Sequence, residues 1–280
     1  MHQVLLAIAK KALPTLMLVA GLTAVGVSPA NGQARATLDK AKASGKLLVG
    51  IRNDFPPVGS VDESGKPVGF GVDLGAAISK KLGFAPEFVA VTSRTRIPLL
   101  EQGAIDIEVG VTTPTVEREK TVDFSIPYLW DAVNLLIKKN GPDKLSDYAP
   151  PRKIASVQGS FVVTLIKERL PNAELVLFQE FPEAVMALQN GRVDAVGINR
   201  ASAVAFLKRD PARLGLSQDF FKDPWAIMVR KNDSGIRVAV NNALQELWSD
   251  GTYAALYEKH FGSKPNFYMW SPYQLQPGMK

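Results

Sequence analysis

The chain has 280 residues, a formal net charge of +6 and no cysteine. The absence of cysteine excludes disulfides, thiolate nucleophiles and sulfur-ligated zinc, and two histidines are too few for a histidine-rich metal site. Because the positive charge is spread along the chain, it does not form the basic stripe typical of nucleic-acid binding. We therefore expect no metal site, no cofactor and no nucleic-acid partner.

The N-terminal segment has the pattern of an export signal. Two lysines precede an apolar stretch from Ala12 to Val27, and small residues then offer cleavage after Ala34 or Ala36. Proline and glycine interrupt this stretch, which is already short for a membrane span. We predict that residues 1–34 are a cleaved signal peptide and that the mature protein is soluble and periplasmic. Loss of the two lysines lowers the net charge from +6 to +4.

Beyond the leader, short apolar strands alternate with helices. In the first half the spacing predicts helices at 72–82 and 96–101, and strands at 47–51, 88–91, 105–109 and 134–138. In the second half it predicts strands at 153–157, 175–178, 193–198 and 226–229, helices at 160–170, 182–188 and 200–208, and two terminal helices within 236–261. This alternation is typical of the α/β class, with mostly parallel sheets covered on both faces.

One sequence pattern occurs twice. Leu100–Asp106 and Leu188–Asp194 both read Leu-x-x-Gly-x-(Ile/Val)-Asp, and each leads through a predicted strand into a polar loop, Val111–Thr113 or Asn199–Arg200. Two such modules suggest two similar sheets that face one cleft. The alternative is that any helix-to-strand turn selects a glycine at this position. Taken alone, the pattern leaves both interpretations open.

Hydroxyl and arginine side chains gather where predicted strands end and helices begin, which is where open α/β sheets hold anionic ligands. A small carboxylate needs a guanidinium fork with hydroxyl or N–H donors. Arg118 is the first candidate, and its alternative is a solvated pairing with Glu117 or Glu119. Ser160 can add its hydroxyl and the N–H groups of a helix N-terminus, although it can equally serve only as an N-cap.

Several contiguous motifs resemble one protein family. They are Gly69–Leu74, Thr92–Gly103, Ile105–Thr113, Val122–Tyr128 and Asp250–Tyr253. They are similar to the polar amino-acid family (family 3) of periplasmic solute-binding proteins of ABC transporters, most nearly to its glutamate/aspartate binders. The resemblance implies the type II periplasmic binding-protein fold, in which a two-strand hinge joins two α/β lobes. It places lobe 1 at 35–131 plus 225–280 and lobe 2 at 132–224.

The resemblance also implies a binding site for an amino-acid head group. Arg118 matches the arginine that binds the α-carboxylate, and Thr113 matches a residue that offers its hydroxyl and N–H. Val111 matches a position whose backbone carbonyl meets the ligand amine, and Ser160 is the candidate from the second lobe.

Four further positions concern the ligand side chain. Arg52, Ser93 and Arg96 match the arginines and serine of the acidic amino-acid binders, whereas many other members carry an aspartate near position 52. Phe55 matches an aromatic wall of the family's pocket, although an ordinary core phenylalanine fits almost as well. This set predicts a small anionic ligand, most simply an acidic amino acid.

Asn199 departs from the family pattern. The family usually has an aspartate there, which pairs with the ligand ammonium, and an asparagine supplies no charge. The ligand is then either an acidic amino acid, with Asp54 or another acid compensating, or an organic acid without an amine, such as a dicarboxylate or keto acid.

The predicted function is binding without chemistry, followed by delivery of the ligand to a membrane permease of an ABC importer. The same fold carries a cyclohexadienyl dehydratase, so an enzyme is the alternative, and it requires a general acid in the cleft. Glu108, Asp54 and Glu180 are the candidate acids, but none has a convincing partner in the sequence. We therefore predict no enzymatic activity.

Overall fold

The computed structural model describes residues 36–267 and residue 269, so the predicted signal peptide 1–34 lies outside the described residues. Across this described part of the chain, none of the helices combines the length and hydrophobicity that a bilayer crossing requires.

The first half of the chain builds a β-α-β-α-β unit. Its elements in chain order are α1 (Ala36–Ser44), β1 (Lys46–Arg52), β2 (Ser60–Val61), β3 (Pro67–Val68), α2 (Phe70–Lys81), β4 (Ala85–Val91), α3 (Arg96–Glu101) and β5 (Ile107–Glu108). β1 pairs in parallel with both β4 and β5, as the alternating pattern predicts. β2 and β3 form a small hairpin of their own.

A long strand then crosses into the second half. The following elements are α4 (Val116–Glu119), β6 (Val122–Lys138), β7 (Lys153–Val157), α5 (Phe161–Arg169), β8 (Glu174–Phe178), α6 (Phe181–Gln189), β9 (Ala195–Asn199), α7 (Arg200–Arg209), β10 (Leu214–Leu216), β11 (Phe221–Arg230), α8 (Ser234–Ser249) and α9 (Thr252–Phe261). β7 pairs in parallel with β8 and β9, which repeats the arrangement of the first unit.

The two units also repeat at the level of single hydrogen bonds. The backbone N–H of Asp106 donates to the Leu48 carbonyl, and its carboxylate accepts the Leu48 N–H at 3.0 Å. Asp194 makes the same pair of bonds with Lys153, the carboxylate bond being 2.8 Å. The repeated sequence pattern therefore encodes two structurally equivalent modules.

Two antiparallel strands connect the modules. The sheet order is β4-β1-β5-β11-β6-β9-β7-β8, with β10 paired to β6. β6 runs for 17 residues, far beyond the predicted strand 134–138, and pairs with β11 through its first part and with β9 through its last part. This is the type II architecture of two α/β lobes and a two-strand hinge. The predicted lobe boundaries fall within these two strands and stay a prediction.

The C-terminal helices return to the first lobe. α2 contacts both α8 and α9. Phe267 packs against Trp248 and Tyr257, with ring centroids 5.9 and 5.8 Å apart. Phe267 therefore packs against the two C-terminal helices.

Candidate ligand-binding site

The carboxyl ends of three parallel strands from each lobe meet at one cleft between the lobes. Seven of the nine predicted site residues line one small pocket there: Arg52, Phe55, Ser93, Val111, Thr113, Ser160 and Asn199. The sequence analysis missed four others in its lining: Phe161, Val162, Phe181 and Asp223. Phe161 and Phe181 begin α5 and α6, so they follow strands in lobe 2 just as Phe55 follows β1 in lobe 1.

Arg52 lies at the end of β1 with its guanidinium fully buried. Nε and Nη2 donate to the two carboxylate oxygens of Asp54 at 2.6 and 2.7 Å, and Nη1 donates to the Ser93 hydroxyl at 2.6 Å. The guanidinium also lies within 6 Å of the Phe55 and Phe181 rings. Because a bidentate carboxylate neutralises it, Arg52 does not act as a free cation.

Arg96 is equally buried but lies behind the pocket rather than in its lining. Nη1 donates to the Val111 carbonyl at 3.0 Å and to the Thr112 hydroxyl, and it lies 3.7 Å from Glu108. Burial lowers the pKa of Arg96 to about 9, and the negative charge of Glu108 opposes that shift. Arg96 thus fixes the loop that carries Val111, and direct ligand contact by Arg96 stays a prediction.

Arg118 spans the two lobes. Nη1 donates to the Thr113 carbonyl at 2.7 Å, and Nη2 donates to the carbonyl of Gly159 at 3.1 Å. Among the described residues Arg118 forms no ion pair with Glu117 or Glu119, the two partners of the alternative, and Glu117 instead contacts Lys120. Burial lowers the pKa of Arg118, while the charges of Glu108 and Asp223 oppose that effect. The guanidinium is therefore held at the cleft and not on a solvated helix face.

The opposite wall of the cleft begins at α5. The Ser160 hydroxyl accepts the Val162 N–H at 3.2 Å, which is the predicted N-cap, and Ser160 also lines the pocket. Gly159 has a positive φ of +76°, and a Cβ there would lie 2.6 Å from the Ser93 carbonyl oxygen. The lobes therefore touch at this point. The Phe181 N–H adds a second contact across the cleft, to Asp54 at 3.3 Å.

Asp223 is a buried carboxylate of β11 that faces the same pocket. It accepts hydrogen bonds from the Thr113 hydroxyl at 2.7 Å, the Asn199 amide at 2.6 Å and the Trp225 indole at 3.0 Å. Burial raises the pKa of Asp223, and these three donors oppose the shift. No sequence motif marks Asp223, since its position depends on the pairing of β11 with the distant β6.

Positive and negative groups balance around the pocket. Arg52 pairs with Asp54, Arg96 lies by Glu108, and Arg118 and Asp223 face the cleft from either side of Thr113. The exposed Arg200 is paired with Asp219 at 2.6 Å. The arginine-rich sequence therefore does not produce a strongly positive cleft.

The pocket encloses about 10 Å³, roughly the space for a single water molecule. An amino acid needs more room, which a small separation of the lobes about β6 and β11 would supply. A larger groove of about 570 Å³ lies between α7 and α9, beside Trp130 and Asp131, but it contains none of the predicted site residues.

The acidic side chains of the described residues have the following surroundings. No cluster of three or more His, Cys, Asp or Glu side chains is placed among these residues to hold a metal ion. Of the three candidate acids, Asp54 is bound by Arg52, and Glu108 is buried beside Arg96 and accepts from Thr112. The pKa of Glu180 is raised by burial and by the nearby Asp54, but Glu180 is not part of the pocket lining.

The chain matches known proteins along most of its length. Residues 47–263 match the family model described as bacterial extracellular solute-binding proteins, family 3. The chain is 32% identical to an ABC transporter glutamine-binding protein of Bacillus subtilis over 91% of this chain and 97% of that protein. It is 30% identical to an L-glutamate/L-aspartate-binding protein of Pseudomonas aeruginosa over 80% of each. Among solved structures, an ancestral arginine-binding protein bound to glutamine has a TM-score of 0.75 and 39% identity, covering 78% of this chain and 99% of that one.

Proposed function

Because the chain belongs to the bacterial extracellular solute-binding proteins of family 3, we propose that it binds a polar, uncharged amino acid, such as glutamine, for an ABC importer. The observation that carries this choice of ligand is the bidentate pairing of Arg52 with Asp54. The α-carboxylate would be bound by Arg118 together with N–H groups of the Ser160 helix terminus, so that it bridges the lobes.

The pairing of Arg52 changes the expected specificity. A free, buried arginine would favour a second ligand carboxylate, whereas an arginine neutralised by Asp54 favours a neutral dipole. The carbonyl oxygen of a carboxamide can accept a hydrogen bond from the Arg52 guanidinium, and its NH2 group can donate one to Asp54. A carboxamide therefore fits both partners. The acidic amino acid predicted from Arg52 and Arg96 becomes the second candidate, and the glutamate/aspartate-binding relative supports it.

Binding rather than catalysis is the proposed activity. The curated relatives described above are binding proteins of transporters, and the candidate acids in the cleft are held by arginine or lie outside the pocket. A ligand that contacts both lobes shifts the population toward the closed form, and in our proposal this form docks on the membrane permease. We place the mature protein in the periplasm, with residues 1–34 removed as the signal peptide.

Calorimetric titration of the mature protein with a panel of amino acids tests this function. We expect one site per chain and tighter binding of glutamine than of glutamate. Arg118→Ala should weaken binding by about 100-fold or more, because it removes a charge-assisted fork from a buried carboxylate. The matched control is Arg213→Ala, whose exposed guanidinium pairs with Asp210.

The outcomes are separable. No binding of any amino acid would contradict the proposed function, and unchanged affinity in Arg118→Ala would remove Arg118 from the site. Tighter binding of glutamate than of glutamine would show that the preferred ligand is an acidic amino acid.

A further inference from the structure

We infer that Asp223 is the group that binds the α-ammonium of the ligand, so that the site selects α-amino acids over carboxylic acids that lack an amine. This inference rests on the proposed function and assigns a role to a residue outside the predicted site. Its basis is the environment of one buried carboxylate in β11.

Asp223 differs from the other buried acids of the cleft in having no cationic partner. Asp54 is paired with Arg52, and Glu108 lies beside Arg96. Asp223, in contrast, forms no ion pair within 4.0 Å with any lysine, arginine or histidine of the described chain. Its three partners are neutral donors. A buried carboxylate with only neutral donors remains costly, and a ligand cation would relieve that cost.

Asn199 fits this role as a supporting residue. Its Nδ2 donates to Asp223 at 2.6 Å, which orients the side-chain amide and leaves Oδ1 to accept a hydrogen bond. Asn199 lines the pocket, so a ligand ammonium could donate to Asp223 and to Asn199 together. The charge that an asparagine cannot supply would then come from β11, which lies on the other side of β6 from β9.

Thr113 links the cation and the anion that we assign to the ligand head group. Arg118 donates to the backbone carbonyl of Thr113, and the hydroxyl of the same Thr113 donates to Asp223. A single residue therefore anchors a cation on one side and an anion on the other. An α-amino acid carries a carboxylate that would bind Arg118 and an ammonium that would bind Asp223, so its two charges complement this pair.

The test compares an amino acid with its amine-free analogue. Wild-type protein is titrated with glutamine and with glutaramic acid, and Asp223→Asn is titrated with both. We expect the analogue to bind the wild type at least about 30-fold more weakly than glutamine does, because an unpaired buried charge remains. Asp223→Asn should lose at least about 30-fold in glutamine affinity and change the affinity for glutaramic acid by less than threefold.

A variant that moves the carboxylate from Asp223 to its neighbour Asn199 controls for misfolding. The double variant Asn199→Asp/Asp223→Asn moves the carboxylate to its hydrogen-bond partner, and we expect it to recover part of the glutamine affinity. Melting temperatures establish that each variant is folded.

The results that overturn the inference are distinct from a failure of the proposed function. Equal losses for glutamine and glutaramic acid in Asp223→Asn would make Asp223 merely structural, and unchanged glutamine affinity would remove it from the site. Wild-type protein that binds amine-free acids more tightly than amino acids would also overturn it, while a solute-binding function would stand. Protein that binds neither class would contradict both proposals.

Discussion

In our proposal, the buried carboxylate of Asp223 links pH to ligand binding. Its pKa is raised above the ordinary aspartate value of 3.8, first of all by burial. Four titratable groups interact electrostatically with Asp223: Arg118, Arg96, Tyr128 and Asp131. Asp131 lies opposite Asp223 in the pairing of β6 with β11. Only the ionised carboxylate can pair with an ammonium group.

We therefore predict that amino-acid affinity falls as the pH falls through the raised pKa of Asp223. A bound ammonium favours the ionised form, so the pKa of Asp223 is lower in the complex and binding releases a proton at acid pH. Titrations at about pH 5 and about pH 7.5, in buffers with different heats of ionisation, measure both effects. Asp223→Asn should show little pH dependence. An equally flat profile in the wild type would contradict the prediction.

At the scale of residues, the sequence located most of the pocket but not its electrostatics. Residues such as Ser93, Thr113 and Asn199 could be found because each directly follows a strand whose end faces the cleft. The partner of Arg52 is only two positions away, yet a sequence does not show that its carboxylate turns back onto the guanidinium. Asp223 could not be found, because its neighbours Thr113 and Asn199 are 110 and 24 positions distant.

At the scale of elements, the contact between the loop before α5 and the loop after β4 limits how closely the lobes approach. Gly159 has a φ of +76°, and an added Cβ would lie 2.6 Å from the Ser93 carbonyl oxygen. Gly83, after α2, has a φ of +81° and nothing within 4 Å of its added Cβ. An alanine at either glycine would meet similar backbone strain. Only at Gly159 would the added Cβ also meet the other lobe.

Gly159→Ala is therefore predicted to weaken amino-acid binding by about 10-fold or more, whereas Gly83→Ala should leave it unchanged. Both should lower the free energy of unfolding by about 1 kcal/mol, because alanine disfavours a positive φ. Calorimetry and chemical denaturation measure the two effects. Equal ligand affinities in the two variants would show that the lobes do not need this close approach.

The alternating strands and helices were predicted well because each buries a clear apolar face. α3 was predicted with its observed bounds, and α2, α5, α6 and α7 are within two residues of theirs. α1 was missed since it buries only Thr37 and Ala41 and so shows no apolar period. β6 was predicted too short because its first half contains Pro127, which removes a backbone donor and lies beside a register shift in the pairing with β11.

At the scale of the whole molecule, one sequence pattern occurs in each of the two lobes. The repeated pattern places Asp106 and Asp194 at equivalent strand entries, where each carboxylate ties two neighbouring strands together. Periodicity alone could not show that these modules face each other. Their arrangement depends on three strand pairings: β6 with β11, β11 with β5 in the first lobe, and β6 with β9 in the second lobe. The resemblance to the solute-binding family supplied this arrangement.

We propose that one amino acid is held between the two lobes, and the cysteine-free chain permits a direct measurement of this binding mode. Glu87 on β4 and Glu174 on β8 are exposed on the two outermost strands of the sheet, where their ion pairs with Lys46 and Lys153 contribute little stability. Spin labels on Glu87→Cys/Glu174→Cys report the distance between the lobes by pulsed electron paramagnetic resonance. Saturating glutamine should shift this distance and narrow its distribution to a single peak, and Arg118→Ala should abolish the change. A distribution that stays the same while calorimetry shows full occupancy would contradict binding between the lobes.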